Sequence, residues 1–244
     1  MSAAEMLKWQ YPGIVVDVGG TGIDLHKGIP EIDLIRPDYS LYPENKRSMG
    51  FTSRGCNRRC SFCVVPKKEG KFKVVQHPSE FHNSEFKEIM FLDNNILFDK
   101  EWFMEVTDWI LENNLTADFN QGLDIRLIDS DIAQRLHEIH NYTSWKFAFD
   151  SIDYKDDVLD GIKILQDAKI HVRNNLLFYV YIDSDENFDD ALERCNILRE
   201  AGASSFLMVN MDTQRTQRMT DLKCWCRPRC YWKIPFSEFD RSVT

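Results

Sequence analysis

Long apolar runs are missing from this sequence. No stretch approaches the roughly 18 consecutive apolar residues that a membrane-spanning helix needs. The N-terminal segment MSAAEMLKWQYPG also lacks the apolar stretch of a signal peptide. These absences predict a cytoplasmic protein that works without a membrane partner.

Positive charge is scarce as well. The 30 Lys and Arg residues are outnumbered by 39 Asp and Glu residues, which gives a formal net charge of −9. An acidic surface repels phosphate backbones and does not favour broad nucleic-acid binding. The basic side chains are nevertheless concentrated in one segment, formed by the run Arg54 to Arg59 with Lys67, Lys68, Lys71 and Lys73. Nucleic acid therefore stays open as a partner through this segment.

Strand and helix patterns alternate about six times between residues 48 and 212. The predicted strands are residues 48–52, 88–92, 117–127, 145–149, 172–182 and 205–209, and Asp99 is the predicted N-cap of the helix near residues 100–113. Such alternation is typical of a parallel sheet with crossover helices. A complete eight-unit barrel typically needs about 250 residues. We therefore predict an α/β fold: an open, partial TIM-like barrel of about six units over residues 48–212. A short N-terminal extension (residues 1–47) and a cysteine-containing C-terminal tail (residues 213–244) complete the predicted organisation.

The sequence has seven cysteines, and six of them fall into two tight groups. In a reducing compartment, clustered cysteines indicate metal ligands before disulfides. The first group has the spacing C-x3-C-x2-C, with Cys56, Cys60 and Cys63. Three thiolates can hold three corners of a cubane iron–sulfur cluster and leave the fourth iron open. A zinc site or a closed cluster stays open as an alternative, although each needs a fourth ligand that is not nearby.

The segment around these cysteines, Gly50-Phe-Thr-Ser-Arg-Gly-Cys56-Asn-Arg-Arg-Cys60-Ser-Phe-Cys63, resembles the cluster loop of radical S-adenosylmethionine (SAM) enzymes. Its T-S-R-G-C part is especially similar to the cobalamin-associated and methylthiotransferase branches. The resemblance covers about residues 48–212.

The resemblance implies a 4Fe–4S cluster with SAM at its open iron. It further implies a 5′-deoxyadenosyl radical that abstracts hydrogen from a substrate, which the sequence does not identify, and an electron donor such as flavodoxin or ferredoxin. Methyl or methylthio transfer to RNA, and a non-catalytic iron–sulfur or zinc protein, are the alternative hypotheses.

The same resemblance implies a set of SAM-binding positions. Phe62 corresponds to the aromatic residue beside the adenine. Asp93, Asn94 and Asn95 stand where relatives bind the amino group of SAM with a Gly-Gly-Glu-type segment, and Asp93 would face the ammonium. Later strand ends supply the remaining candidates: Asn120, Gln121, Asp124, Arg126, Asp150, Ser151 and Asp183. Strand-end capping and turn formation are the alternative for each of these residues.

The N-terminal extension carries two weaker patterns. The sequence Gly19-Gly-Thr-Gly22 lacks the Lys-Ser/Thr of a phosphate loop and does not fit G-x-G-x-x-G, so it predicts a glycine turn after a short strand. Asp24-Leu-His26-Lys-Gly28 departs from the cobalamin motif D-x-H-x-x-G by one residue. Residues 15–43 resemble the linker that follows a cobalamin domain, which predicts a remnant packed on the barrel with His26 at a surface or turn.

The second cysteine group has the spacing C-x-C-x3-C, with Cys224, Cys226 and Cys230. It predicts a second iron–sulfur cluster, a zinc site with a fourth ligand from elsewhere, or reduced thiols in an aromatic-rich packed tail. Cys195 lies on the apolar face of a predicted helix, which favours a core thiol.

Overall fold

The computed structural model describes residues 2–16, 18, 32 and 34–241. The predicted turn at residues 19–22 and the stretch at residues 24–28 lie outside the described residues. Part of the N-terminal extension is anchored on the sheet edge: the Tyr39 hydroxyl accepts a hydrogen bond from the Met49 backbone N–H at 2.8 Å. Arg36 donates to the carbonyl of His82 at 2.5 Å. Residues 36–39 therefore lie against the first strand.

Parallel strands form the centre of the fold, in two sheets. The strands are β1 (Arg47–Gly50), β2 (Ser53–Arg54), β3 (Lys73–Val74), β4 (Glu88–Phe91), β5 (Thr116–Phe119), β6 (His140–Asn141), β7 (Trp145–Ala148), β8 (Leu176–Ile182) and β9 (Ser204–Val209). One sheet has the order β1-β4-β5-β6 and the other β7-β8-β9. All neighbours within these two sheets are parallel. A parallel bridge from Leu123 to Phe147 links the end of β5 to β7.

Helices lie between most of the parallel strands, before the first strand and after the last one. Those described are α1 (Ala3–Gln10), α2 (Val65–Lys68), α3 (Lys100–Glu112), α4 (Ser130–Glu138), α5 (Lys155–Asp167), α6 (Val172–Asn175), α7 (Phe188–Glu200), α8 (Gln217–Trp225) and α9 (Pro228–Tyr231). The predicted N-cap of α3 is confirmed, because the Asp99 side chain accepts a hydrogen bond from the Trp102 backbone N–H at 3.0 Å. None of the described helices is long and apolar enough to cross a membrane. The chain thus has an α/β fold built on parallel strands.

Alternation along the strands determines where the core lies. In β8, Leu176, Phe178, Val180 and Ile182 are buried, whereas Leu177, Tyr179 and Tyr181 between them are partly exposed. The buried face packs against the apolar faces of the connecting helices. Since side chains alternate between the two faces of a strand, the other face of the sheet is left for polar and functional groups.

Two predicted strands are wrong at one end. The predicted strand at residues 172–182 begins as helix α6, because Arg173, Asn174 and Asn175 give its first turn no alternating apolar pattern, and β8 starts only at Leu176. The predicted strand at residues 117–127 stops at Phe119. Gly122 has a positive φ of 99°, which takes the backbone out of the extended conformation.

The C-terminal segment belongs to the core rather than to the surface. Trp225 and Tyr231 are both 0% exposed. The Tyr231 hydroxyl donates to the carbonyl of Cys195 in α7 at 2.7 Å, and the Trp225 indole N–H donates to the carbonyl of Ile234 at 2.9 Å. Helices α8 and α9 therefore close the β9 side of the molecule.

Replacing Trp225 with Ala tests whether this segment folds with the rest. We expect the free energy of unfolding to fall by about 3–5 kcal/mol, because the substitution leaves a large cavity in a packed core. Urea denaturation followed by circular dichroism measures the loss. Trp9→Ala is the matched control, since Trp9 is 78% exposed. Equal stability of the two variants would contradict the packing.

Candidate metal and cofactor site

The cysteine loop is closed at its base by a short hairpin. Strands β2 and β3 pair antiparallel on either side of it, and the Cys56 backbone N–H donates to the carbonyl of Gly70 at 3.2 Å. Gly55, at the start of the loop, has φ of 80°, and a Cβ there would collide with the carbonyl of Lys71. The glycine before the first cysteine is therefore required by the close approach of the two loop ends.

Three thiols share one cavity inside this loop. Cys56, Cys60 and Cys63 are partly buried free thiols that line a cavity of about 670 Å³. Burial raises the pKa of both Cys60 and Cys63, and nearby sulfurs raise it further. The Arg58 backbone N–H lies 3.4 Å from the Cys56 sulfur. Three thiolates together are unfavourable without a cationic partner, so the donor set fits a group that carries positive charge.

Asp124 connects the cysteine loop to the end of β5. Its buried carboxylate accepts hydrogen bonds from Arg58 at 2.8 Å and from Arg126 at 2.7 Å. The Asn95 amide reaches the same carboxylate at 3.3 Å. Burial raises the pKa of Asp124, but hydrogen bonds and charge from Arg126 and Arg58 outweigh it, so that the pKa lies below its ordinary value. This sequence-predicted residue is therefore a positioning group for the loop.

Glu69 fixes the opposite side of the loop. Its carboxylate accepts from the Gly55 backbone N–H at 3.0 Å and from the Asn94 amide at 2.8 Å, and it pairs with Arg54 at 3.1 Å. Sequence reasoning missed Glu69, because a glutamate beside two lysines is usually a solvated charge. Only the closed loop, which brings residue 69 back to residues 54 and 55, gives it this role.

Asp93 follows β4, and its side chain is buried against the turn that follows β1. It is 4% exposed, and its carboxylate accepts from the backbone N–H and hydroxyl groups of both Thr52 and Ser53. Burial raises the pKa of Asp93 by more than these hydrogen bonds lower it. Its contact with an ammonium group stays a prediction, and an ammonium would have to compete with these bonds. Asp93 is first of all the anchor of the turn that leads into the cysteine loop.

A second cavity lies directly beside Cys60, at the carboxyl ends of β7 and β8. Its volume is about 530 Å³, and it brings together Cys60 and five of the predicted cofactor residues: Phe62, Arg126, Asp150, Ser151 and Asp183. The Asp150 carboxylate accepts from the Tyr181 backbone N–H at 3.2 Å, and burial raises its pKa. Residues far apart in sequence thus meet where ligands bind in parallel α/β sheets.

Aromatic rings line this second cavity. Phe62 stacks on Tyr181, with ring centroids 4.0 Å apart and planes 19° from parallel. The Arg126 guanidinium lies 4.6 Å from the ring centroid of Tyr154. Sequence reasoning missed both tyrosines. The alternation along β8 was a usable signal for Tyr181, because it places residue 181 on the face opposite the buried core.

Arg194 holds the ends of β7 and β8 together from beneath the cavity. It is 2% exposed and donates to the carbonyls of Phe149 at 2.6 Å and Tyr181 at 3.0 Å. It also pairs with Asp190. Sequence reasoning missed Arg194 too. An arginine next to Cys195, which lies on the apolar face of a helix, is unusual and could have indicated a buried, paired side chain.

The structure does not bring every predicted residue to the site. Asn120 and Gln121 line neither described cavity. Asn94 and Asn95 are used as donors to Glu69 and Asp124. The side-chain amide oxygen of Asn95 (Oδ1) is buried without a hydrogen-bond partner among the described residues. Asn95 is therefore the asparagine of this pair that keeps an unused polar atom near the cysteine loop.

The second cysteine group is split between two environments. Cys226 is buried, and its sulfur lies 3.8 Å from the sulfur of Cys195 in α7. Cys224 and Cys230 are only partly buried. Cys195 is 0% exposed, which confirms it as a core thiol. Contact with Cys226 and burial raise its pKa.

An auxiliary metal at Cys224, Cys226 and Cys230 stays a prediction. In residues 2–16, 18, 32 and 34–241, no group of three His, Cys, Asp or Glu side chains is arranged around a single metal ion, and this holds for Cys56, Cys60 and Cys63 as well.

Comparison with known proteins gives no assignment. No family model matches the chain, and no curated protein matches its sequence. The cysteine loop, the strand order and the two adjacent cavities are therefore the grounds for a functional proposal.

Replacing Asp124 with Asn tests its role in fixing the loop. A carboxyl whose pKa is lowered by folding stabilises the fold above its unfolded pKa of about 3.9, and that contribution is lost as the pH falls through the folded-state value. We expect Asp124→Asn to lower the free energy of unfolding by about 1–2 kcal/mol at neutral pH, a modest loss because Arg58 is partly exposed to screening solvent.

Urea denaturation over a range of pH measures this loss, which should shrink below about pH 4. Asp212→Asn, at an exposed carboxylate, is the control and should leave the stability unchanged at every pH. A deficit of Asp124→Asn that persists undiminished in acid would refute the ion-pair explanation.

Proposed function

We propose that this protein is a radical SAM enzyme. It holds a 4Fe–4S cluster through Cys56, Cys60 and Cys63, cleaves SAM reductively and abstracts hydrogen from a substrate. The observation that carries the proposal is that three thiols of one loop line one cavity, while a second cavity beside Cys60 collects aromatic and charged groups suited to SAM.

The order of the strands supports a partial barrel. In one sheet β1, β4 and β5 lie side by side in the order in which they occur along the chain. In the other sheet the same is true of β7, β8 and β9. The bridge between Leu123 and Phe147 joins the two sets. These six strands are parallel and follow one another in space as they do in sequence. We interpret them as an open barrel of six units, with the cysteine loop at the carboxyl end of its first strand.

The residues around the thiols are suited to a cluster whose core is cationic but which carries a net negative charge once its thiolate ligands are counted. Arg59, Lys67 and Lys71 line the same cavity, which has no acidic residue in its lining. Their charge would offset the thiolates and favour the electron-rich state of the cluster. Held by Cys56, Cys60 and Cys63, a reduced cluster of this kind would supply the one electron that reductive cleavage of a carbon–sulfur bond of SAM requires.

The second cavity would orient SAM against that iron. The stacked pair Phe62 and Tyr181 offers an aromatic surface to the adenine, and Asp150 with Ser151 offers acceptors to the ribose or the ammonium. Arg126 offers a cation to the methionine carboxylate. A cavity of about 530 Å³ lies in the range typical of small-molecule and cofactor sites. The electron would come from a reduced carrier such as flavodoxin or ferredoxin.

Anaerobic reconstitution with iron and sulfide tests the cluster and the reaction. We expect about four iron atoms per chain and 5′-deoxyadenosine from SAM after reduction, and we expect both to be lost in Cys60→Ala. Cys230→Ala is the matched control, since it removes a thiol outside the first group, and it should retain 5′-deoxyadenosine formation.

Each failure of that experiment points to a different protein. Binding of iron without 5′-deoxyadenosine above the Cys60→Ala background would indicate an electron-transfer protein. Zinc in place of iron, held by the same three cysteines, would indicate a structural metal site. Either result would sink the proposed reaction.

Asp150→Asn tests the assignment of the second cavity. The amide keeps an oxygen that can accept the Tyr181 N–H bond but removes the negative charge that a ribose or ammonium would use. We expect SAM to bind about tenfold more weakly, as for loss of one charge-assisted hydrogen bond, with iron content unchanged. Asp160→Asn, at an exposed carboxylate of α5 outside the cavity lining, is the control for equilibrium dialysis with labelled SAM. Equal affinity of the two variants would remove Asp150 from the site.

A further inference from the structure

A third cavity lies at the opposite end of the strands from the cysteine loop. It has a volume of about 760 Å³ and is bounded by the amino-terminal ends of β8 and β9, near Leu177 and Ser204, and by the C-terminal segment from Lys223 to Trp232. The thiols and the second cavity lie at the carboxyl ends of the strands. The third cavity is therefore separate from the proposed reaction site.

All the charged residues that line this cavity are cations. They are Arg173, Lys223 and Arg227, and no carboxylate is in the lining. Within the part of the chain that the structure describes, none of the three forms an ion pair. In a chain with nine more acidic than basic residues, acidic partners are abundant. Three cations that line one cavity without an acidic partner favour the binding of an anion there.

Aromatic rings stand beside these cations. The Arg173 guanidinium lies 4.6 Å from the ring centroid of Trp232, and the Lys223 ammonium lies 5.4 Å from that of Phe206. Phe206 is 45% exposed, although it lies within a strand. Flat apolar rings next to cations are the combination that binds a nucleobase by stacking and its phosphate by charge.

We propose that this cavity binds a nucleoside phosphate, either as a free nucleotide or as part of a nucleic-acid strand. Arg173, Lys223 and Arg227 bind the phosphate, and Phe206 with Trp232 stacks on the base. SAM does not satisfy this site, because it carries an adenine but no phosphate. The proposal stands on its own cavity and does not depend on the reaction at the cysteine loop.

Isothermal titration of the full chain with AMP, adenosine, inorganic phosphate and a short single-stranded RNA tests the proposal. We expect AMP to bind more tightly than adenosine or phosphate, because only AMP has both the base and the anion. Binding should weaken at least about tenfold in the double variant Arg173→Ala/Arg227→Ala, which removes two cations. Both side chains are exposed, and circular dichroism checks that the variant folds.

Arg229→Ala is the matched control. Arg229 is an exposed arginine of the same short helix, two residues from Arg227, and it does not line the cavity. We expect Arg229→Ala and Asp150→Asn to leave AMP binding unchanged, and Arg173→Ala/Arg227→Ala to leave SAM binding unchanged. RNA that binds much more tightly than AMP identifies a strand as the source, whereas equal affinities identify a free nucleotide.

Several outcomes would overturn the proposal. They are the absence of AMP and RNA binding at millimolar ligand, AMP binding no tighter than that of inorganic phosphate, an equal loss in Arg229→Ala, and displacement of AMP by SAM. Failure of SAM cleavage would leave this result unaffected, so the two proposals fail separately.

Discussion

The carboxylate of Asp124 is the contact on which the site depends most. The cysteine loop has no buried apolar side chain to fold around, and Phe62 and Val64 are both exposed by more than a third. Besides its hairpin base and the stacking of Phe62 on Tyr181, such a loop is held by polar contacts to the strand ends. Asp124 provides them by binding Arg58 of the loop and Arg126 of its own turn. The three thiols share a cavity because their loop is held on both sides, by Asp124 and by Glu69.

Buried acids of this kind explain how an acidic chain can carry cationic cavities. Removing a carboxylate from water is costly unless hydrogen bonds and opposite charges replace the solvent. Asp93 meets this condition with backbone N–H and hydroxyl donors, and Asp124 meets it with two arginines. Asp93 and Asp124 therefore act as internal anchors, whereas the basic residues Arg59, Lys67 and Lys71 line the cavity of the cysteine loop.

Sequence reasoning predicted what depends on local pattern. The Asp99 cap of α3 and the alternation of strands with helices both follow from residues close in the chain, and the structure has each of them. It did not predict Glu69, Tyr181 or Arg194, because their partners are brought near only by loop closure and strand pairing. The start of β8 was misplaced because the polar run Arg173 to Asn175, which has no alternating apolar pattern, was included in the strand.

The second cysteine group shows why spacing alone does not define a site. Successive residues of a helix are rotated by about 100°, so Cys224 and Cys226 at the end of α8 point in directions about 160° apart. Cys226 points into the core and meets Cys195, while Cys224 stays partly exposed. In the first group the same residue type lies in a loop closed by a hairpin, where the backbone is free of helical rotation and three thiols can face one cavity. The different backbone conformation, and not the number of cysteines, separates the proposed cluster site from a packed tail.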